Sequence, residues 1–259
     1  MALTDELKKK AVEVGFAVVG ISSPDMLQGL PHGKVWNLYA LRSPEEELPK
    51  VKSIILMGYY VWDKAFNIQV GSAYLHDQGI HSNLVRQRQE SYQLYYEVMK
   101  NKAWTVTDFL TKKGFESKQS LSIPLKTSAV RCGLGHQGKN TLLITPDYGP
   151  RIRLISVLTN AELDVDEPFK EDLCQDCQKC LIACPTKALE PYKLKINRCM
   201  TYSVENPSAT DVDLEVKELE RKLVPRPTRC SYVECTVCIE ACPIGTSKAS
   251  SLPKKHSET

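Results

Sequence analysis

The chain has little of what marks a membrane, fibrous or polyanion-binding protein. No stretch of its 259 residues approaches the ~18–20 uninterrupted apolar residues of a membrane-spanning helix, which excludes such a span. An excess of one charge is also missing. The 34 Lys and Arg against 31 Asp and Glu leave +3, too even to indicate a polyanion by charge alone. No residue class dominates: 42% apolar, 25% charged and 7% aromatic residues exclude disorder and collagen-like structure. The opening, Met1-Ala2-Leu3-Thr4-Asp5-Glu6-Leu7-Lys8, lacks a secretory core and a twin-arginine signal. It reads as the first helix of a cytoplasmic protein. Cysteine, finally, is nearly absent from the first part, where only Cys132 precedes residue 170.

The other nine cysteines fall between Cys174 and Cys242. A disulfide-stapled domain would need an export signal and would normally be shorter, so this density argues for metal. Cys174-x2-Cys177-x2-Cys180-x3-Cys184-Pro185 is the bacterial ferredoxin spacing. Three cysteines in a tight loop reach three corners of one iron–sulfur cube. The fourth is expected to begin a helix pointing to a second cube, with Pro185 in its first turn. Zinc needs four thiolates around one ion, usually as two separated pairs, and leaves the third cysteine and the proline unexplained. A reciprocal run exists in Cys235-x2-Cys238-x3-Cys242-Pro243. By the same rule Cys242 joins Cys174, Cys177 and Cys180 on the first cluster. Cys184, Cys235 and Cys238 hold the second and need one more ligand. Tyr232 occupies the regular position, so Cys199 and Cys230 are both open to that role. Two such clusters in series pass single electrons, which makes the protein a redox protein or a supplier of one.

The remaining chain reads as an α/β body. Thr4 is placed to cap a helix with Asp5 and Glu6 in its first turn, ended by Gly15. Phe16 to Ile21 and the near-continuous apolar run Val51 to Val61 are expected strands, the second in a sheet covered on both faces. From Leu84 the pattern is helical. Tyr92, Tyr95, Tyr96, Met99, Ala103, Val106 and Leu110 form a stripe that Gly114 stops. Leu142 to Thr145 and Arg151 to Thr159 are two further strands around the Pro146–Pro150 turn. A charged helix is expected over Asp213 to Lys222, before Pro225-Arg226-Pro227, and a frayed tail after Thr246.

Gly133-Leu134-Gly135-His136-Gln137-Gly138-Lys139-Asn140-Thr141 imitates a dinucleotide fingerprint and a phosphate-binding loop. The dinucleotide motif needs a strand before it and a helix after it, the reverse of the order expected here. The phosphate loop needs a hydroxyl where Asn140 stands. What survives is a backbone with exposed N–H groups, suited to close approach by a large ligand, or a turn whose glycines serve packing.

The run Ala129 to Ile144 resembles the signature of epoxyqueuosine reductases. The crossed double-cluster module and Asn197-Arg198-Cys199-Met200-Thr201-Tyr202 are similar to that family as well. Tyr148-Gly149-Pro150-Arg151-Ile152-Arg153-Leu154 is closer to the related reductive dehalogenases. The resemblance implies an α+β protein. A nitroreductase-like α/β domain over residues 1–161 would hold a cobalamin, and a ferredoxin-like double [4Fe–4S] module would occupy 162–246, with 247–259 a flexible tail. It also implies that Cys199 completes the second cluster, with Cys230 spare. Gly133, Leu134, Gly135, Gly138, Lys139, Asn140 and Thr141 become cofactor-binding positions. Electrons would come from a low-potential donor such as a ferredoxin or flavodoxin. The product of the scheme is a cobalamin-dependent reductase acting on a small molecule, or an electron-transfer protein serving a partner corrinoid protein.

Where epoxyqueuosine reductases carry an acid in a short motif upstream of the glycine loop, this chain has Leu121-Ser122-Ile123-Pro124. His136 and Tyr95 are the titratable candidates for a proton donor, set against a solvated loop histidine and a core stripe. Arg151 and Arg153 alternate on one strand, where they could clamp a carboxylate or phosphate or face solvent. Cys132 reads as a small buried hydrophobe. With near-neutral charge and no helical region after the second cluster, tRNA is not expected as a partner, and neither is a membrane.

Overall fold

In the computed structural model, which describes residues 2–30, 33–35, 39–61, 68–70, 92–207, 209–227 and 231–246, the first helix, α1 (Leu3–Glu13), is flanked at its start by Ala2 without a side-chain cap. Thr4 does not cap it. Its hydroxyl instead accepts the Asp164 N–H at 2.9 Å, because residue 4 already lies inside the first turn. Asp5 and Glu6 occupy that turn as expected.

Four strands make the central sheet, all pairs antiparallel: β1 (Val18–Ser22), β2 (Ser53–Tyr60), β3 (Ser117–Ser120) and β4 (Ile152–Thr159), in the order β1-β2-β4-β3. The alternation of strand side chains explains the apolar run of β2. Ile55 and Met57 point to one face, against α1 and the long helix α2 (Leu94–Lys112). Ile54 and Leu56 point to the other, against α3 (Leu125–Arg131) and Leu143. The sheet is thus covered on both faces. The stripe on α2 fills the first core: Tyr95, Met99, Ala103, Val106 and Leu110 are all buried there. The part of this expected helix from Leu84 to residue 91 lies outside the described residues. Strand β3 reads Ser-Lys-Gln-Ser and carries no apolar alternation, so the pattern missed it; it is held by its ladder with β4.

Leu143–Ile144 does not join the sheet. It pairs with His136–Gln137 in a two-residue hairpin that closes the glycine-rich loop. After β4, residues 160–169 strap back over the first half. Asp166 accepts the Ile21 N–H at 2.8 Å and the Lys8 ammonium at 2.5 Å, and the Phe169 N–H reaches the Val130 carbonyl at 2.9 Å. Beyond the strap, α4 (Lys179–Ala183) and α5 (Met200–Glu205) precede α6 (Leu214–Leu223), close to the expected charged helix and ended at Val224 before Pro225. The short helix α7 (Val237–Glu240) then packs against α4.

Candidate metal centre and the loop that faces it

The two cysteine runs fold alike. In the first, the Cys177 N–H donates to the Cys174 carbonyl at 2.8 Å. Asp172 fixes that turn from outside, its carboxylate accepting the N–H groups of Cys174 at 2.8 Å and Gln175 at 3.2 Å. Those amides, Cys174 first, hold the Asp172 carboxyl below the usual range. Helix α4 then carries Cys180, and Cys184 ends it. This reverses one expectation: Pro185 follows the helix and stops it rather than opening it, as proline does just past a helix C-terminus. In the second run α7 carries Cys238, Ala241 ends it, and Cys242-Pro243 follows.

Packing α4 against α7 crosses the runs. Cys174, Cys177, Cys180 and Cys242 line one cavity of about 60 Å³. Burial raises the Cys180 thiol, and the nearby thiols of Cys174, Cys242 and Cys177 push the same way. The thiols of the second set, Cys184, Cys199, Cys235 and Cys238, are half-buried. Burial lifts Cys238 to about 12, and the thiols of Cys235, Cys199 and Cys184, then Cys180, push the same way. Cys235 is lifted to about 11 by burial, next to Cys199 and Cys184. The Cys184 sulfur accepts the Ala188 N–H at 3.3 Å. The structure therefore brings together the eight cysteines singled out by spacing, in two sets of four, with Cys199 in the second. Cys230 lies outside the described residues.

The sulfurs are too far apart for one small ion. Tetrahedral zinc with bonds of ~2.3 Å sets its sulfurs roughly 3.8 Å apart. Among the described residues, no three of these thiols lie within 4.8 Å of one another. None of the nine described cysteines forms a disulfide. A larger inorganic core carried by four thiolates fits both sets.

The glycine-rich loop faces these sets. A Cβ on Gly135 would lie 2.2 Å from the Ile144 carbonyl oxygen, and one on Gly138 would lie 2.5 Å from the Ile144 side chain, so these glycines let the hairpin close on itself. Several of the N–H groups expected to be exposed are engaged in protein contacts. Gly138 donates to the Leu142 carbonyl at 2.8 Å, Thr141 to Gly138 at 2.8 Å, and Leu134 to Ala129 at 2.9 Å. The Gly133 N–H donates to the Val130 carbonyl at 3.3 Å. Lys139 crosses to the first run: its N–H approaches the Cys174 sulfur at 3.5 Å, and its ammonium donates to the carbonyls of Cys177, at 3.1 Å, and Gln175. Asn140 is buried and donates to the Cys238 carbonyl at 3.4 Å. Among the described residues His136 Nδ1 has no hydrogen-bond partner, and it lies 3.6 Å from the Asp172 carboxylate.

The arginines of β4 both turn to the second run. Arg151 donates to the carbonyls of Ile244 at 2.8 Å, Cys242 at 3.1 Å and Ile239 at 3.4 Å. Arg153 pairs with Glu234 at 3.1 Å, with side chains 12% and 14% exposed. Its guanidinium lies 5.0 Å from the centre of the Tyr95 ring, and the Tyr95 hydroxyl donates to Glu234 at 3.4 Å. Burial first, then Glu234, pushes the Tyr95 phenol far above its usual range. Arg153 thus clamps a carboxylate of its own chain, a role alternation alone could not show. Cys132 is 2% exposed and burial lifts its thiol to about 12, which suits a core residue.

No family model matches the chain. Among curated proteins, it is 28% identical over 266 residues to the epoxyqueuosine reductase of Synechococcus sp. (strain RCC307), covering 93% of this chain and 75% of that protein. To the epoxyqueuosine reductase of Bacillus subtilis (strain 168) it is 29% identical over 160 residues, 60% of this chain and 39% of that one. Among solved structures, an epoxyqueuosine reductase from Bacillus subtilis with its catalytic aspartate loop swung out of the active site superposes with a TM-score of 0.67 at 22% identity, over 95% of this chain and 66% of its own. A reductive dehalogenase, whose structure suggests a mechanism for B12-dependent dehalogenation, superposes at 0.53 and 16% identity, over 83% of this chain and 33% of its own.

Fold and homology together define a mixed α+β protein of an oxidoreductase class. The chain is homologous to epoxyqueuosine reductases and similar in fold to a reductive dehalogenase. One expectation falls with that result. An epoxyqueuosine reductase solved with a modified tRNA-Tyr stem loop superposes on 95% of this chain at a TM-score of 0.65, so the argument against tRNA does not hold. Net charge averages over the whole surface and is blind to a local binding face. No described helix is long and apolar enough to cross a membrane.

Proposed function

We propose that this chain is an iron–sulfur oxidoreductase of its family, with one [4Fe–4S] cluster on Cys174, Cys177, Cys180 and Cys242 and another on Cys184, Cys199, Cys235 and Cys238. One observation carries the reading: eight thiols in two crossed sets of four, spaced too widely for zinc. In this reading residues 1–161 are the nitroreductase-like part, 162–246 the ferredoxin-like module and 247–259, outside the described residues, its tail. The protein works in the cytoplasm with a ferredoxin or flavodoxin as donor.

When bound, the clusters supply single-electron transfer and a cobalamin supplies a strongly reducing metal centre. The chain's own residues position these groups. Asp172 sets the turn at Cys174, α4 and α7 fix the crossing, and Lys139 and Asn140 tie the loop to both runs. The cofactor contact of the Gly133–Thr141 loop is accordingly with the cysteine sites. Cobalamin is proposed from the B12-dependent relative; the loop glycines are accounted for by the chain's own backbone. A tRNA stem loop of the kind bound by the solved relative is the first substrate to try, and His136 is the titratable side chain beside the first set.

A second reading is favoured by one feature. Leu121-Ser122-Ile123-Pro124, where the resemblance would place an acid, has none, and Leu121 packs on the core while Ile123 is buried. On that reading the protein passes electrons to a partner corrinoid protein. Anaerobic iron, sulfide and cobalt analysis separates the cases: iron with cobalt supports the reductase, iron alone the carrier. Cys199→Ala should lose about half the iron and Cys230→Ala almost none; full iron in Cys199→Ala, or zinc in the native protein, would refute the ligand scheme.

A further inference from the structure

Two cations sit beside the first set of thiols without a carboxylate of their own. Lys139 donates its ammonium only to the carbonyls of Gln175 and Cys177, between and beside ligand positions. Arg151 donates only to the carbonyls of Ile239, Cys242 and Ile244, and its field reaches the Cys242 thiol. Neither forms an ion pair among the described residues, and Asp172, beside this set, accepts the Cys174 and Gln175 N–H groups. The arginines near the second set are neutralised, while Lys126, which donates to the Thr141 carbonyl at 2.9 Å, is a cation whose field reaches the Cys238 thiol. Arg153 is paired with Glu234, and Arg198 with Asp213 at 2.7 Å and Glu215 at 2.9 Å.

A reduced cluster carries one more negative charge than an oxidised one, so an uncompensated cation nearby favours reduction, and more strongly where water is scarce. We propose that Lys139 and Arg151 are positioning residues that raise the reduction potential of the Cys174/Cys177/Cys180/Cys242 site, while leaving the other site unchanged. This rests on the cluster assignment above and adds to it: the glycine-rich loop delivers a cation to a metal site rather than cradling a phosphate. No atom is transferred; one electron enters the site from the donor, and the cations compensate its charge.

The test is an anaerobic redox titration of the whole protein, followed by electron paramagnetic resonance, on native protein, Lys139→Met, Arg151→Gln and the charge-keeping Lys139→Arg and Arg151→Lys. Each neutral variant should lower the reduced-to-oxidised ratio of one cluster about tenfold at fixed potential, a shift of about 59 mV for one electron. The other cluster should not move, iron content should stay native, and the charge-keeping variants should recover most of the shift. Two unchanged midpoints in both neutral variants would overturn the inference, as would a shift shared equally by both clusters. Loss of about half the iron in both neutral variants would assign the cations a purely structural role and also overturn it. Native protein without iron and sulfide would instead refute the proposed function, and this inference with it.

Discussion

Breaking the Arg153–Glu234 pair should be among the costliest single changes outside the cysteines. The two groups meet at 3.1 Å with little exposure, and at an effective dielectric of about 20 their attraction is ~5 kcal/mol. Burial cancels much of that as net stability. Removing one partner, however, strands the other without compensation, which typically costs ~3–5 kcal/mol. Glu234→Gln leaves the guanidinium facing the Tyr95 ring and a neutral amide. Arg153→Met leaves the carboxylate with the Tyr95 hydroxyl alone among these three side chains. At roughly 2–4 °C per kcal/mol for a chain of this size, each single variant should lower the melting temperature by about 6–20 °C. The double variant, which removes both charges, should recover a substantial part of the loss. Calorimetry on samples of matched iron content measures this. Singles that melt within about 2 °C of native protein, or a double that simply adds their losses, would refute the account of a buried, mutually dependent pair.

Three other outcomes follow from the same contacts. Gly149→Ala combines a left-handed φ of 55° with a Cβ 2.1 Å from the Ile244 carbonyl oxygen, and should cost at least ~2 kcal/mol. Gly114→Ala has a φ of 89° but open space around it, and should lower the melting temperature less. Glu47 is nearly buried between Lys118 at 2.8 Å and Arg42 at 3.1 Å; burial pulls its carboxyl upward, but the two cations together hold it below 4.5. Its stabilising effect is therefore complete above about pH 4.5 and lost as pH falls through its lower folded value, so Glu47→Gln should flatten the acid limb of a stability–pH curve. A modified tRNA stem loop should bind at low ionic strength and weaken steeply with added salt; no binding at low salt would rule it out as substrate.

The grouping of the cysteines was legible because their spacing is a local pattern: the runs Cys174 to Cys184 and Cys235 to Cys242 suggest the crossed arrangement of thiols before any contact is known. The core stripe of α2 and the two-faced strand β2 were legible for a similar reason, since burial imposes a period. What could not be read depends on chain segments meeting across the fold. Lys139 shows its role only when residues 174–177 arrive beside it, and Arg153 only when Glu234 does. Thr4 looked like a cap because its local surroundings fit one, and the distant strap at Asp164 claimed its hydroxyl. Strand β3 has no apolar signature because its pairing, rather than its side chains, defines it. Spacing alone left Cys199 and Cys230 equal.

The turn between the two last strands of the first half also governs how the protein can be divided. Gly149 and Gly245 approach so closely that a Cβ on Gly245 would stand 2.2 Å from the Tyr148 carbonyl carbon, and Arg151 fastens the same junction. A fragment ending near residue 161 would therefore keep a tailored socket with nothing in it, and the complementary fragment would lose the wall that shapes the end of its second cysteine run. Neither piece inherits a finished surface, so exchanging the redox module between relatives requires carrying the Pro146–Arg151 turn along with it.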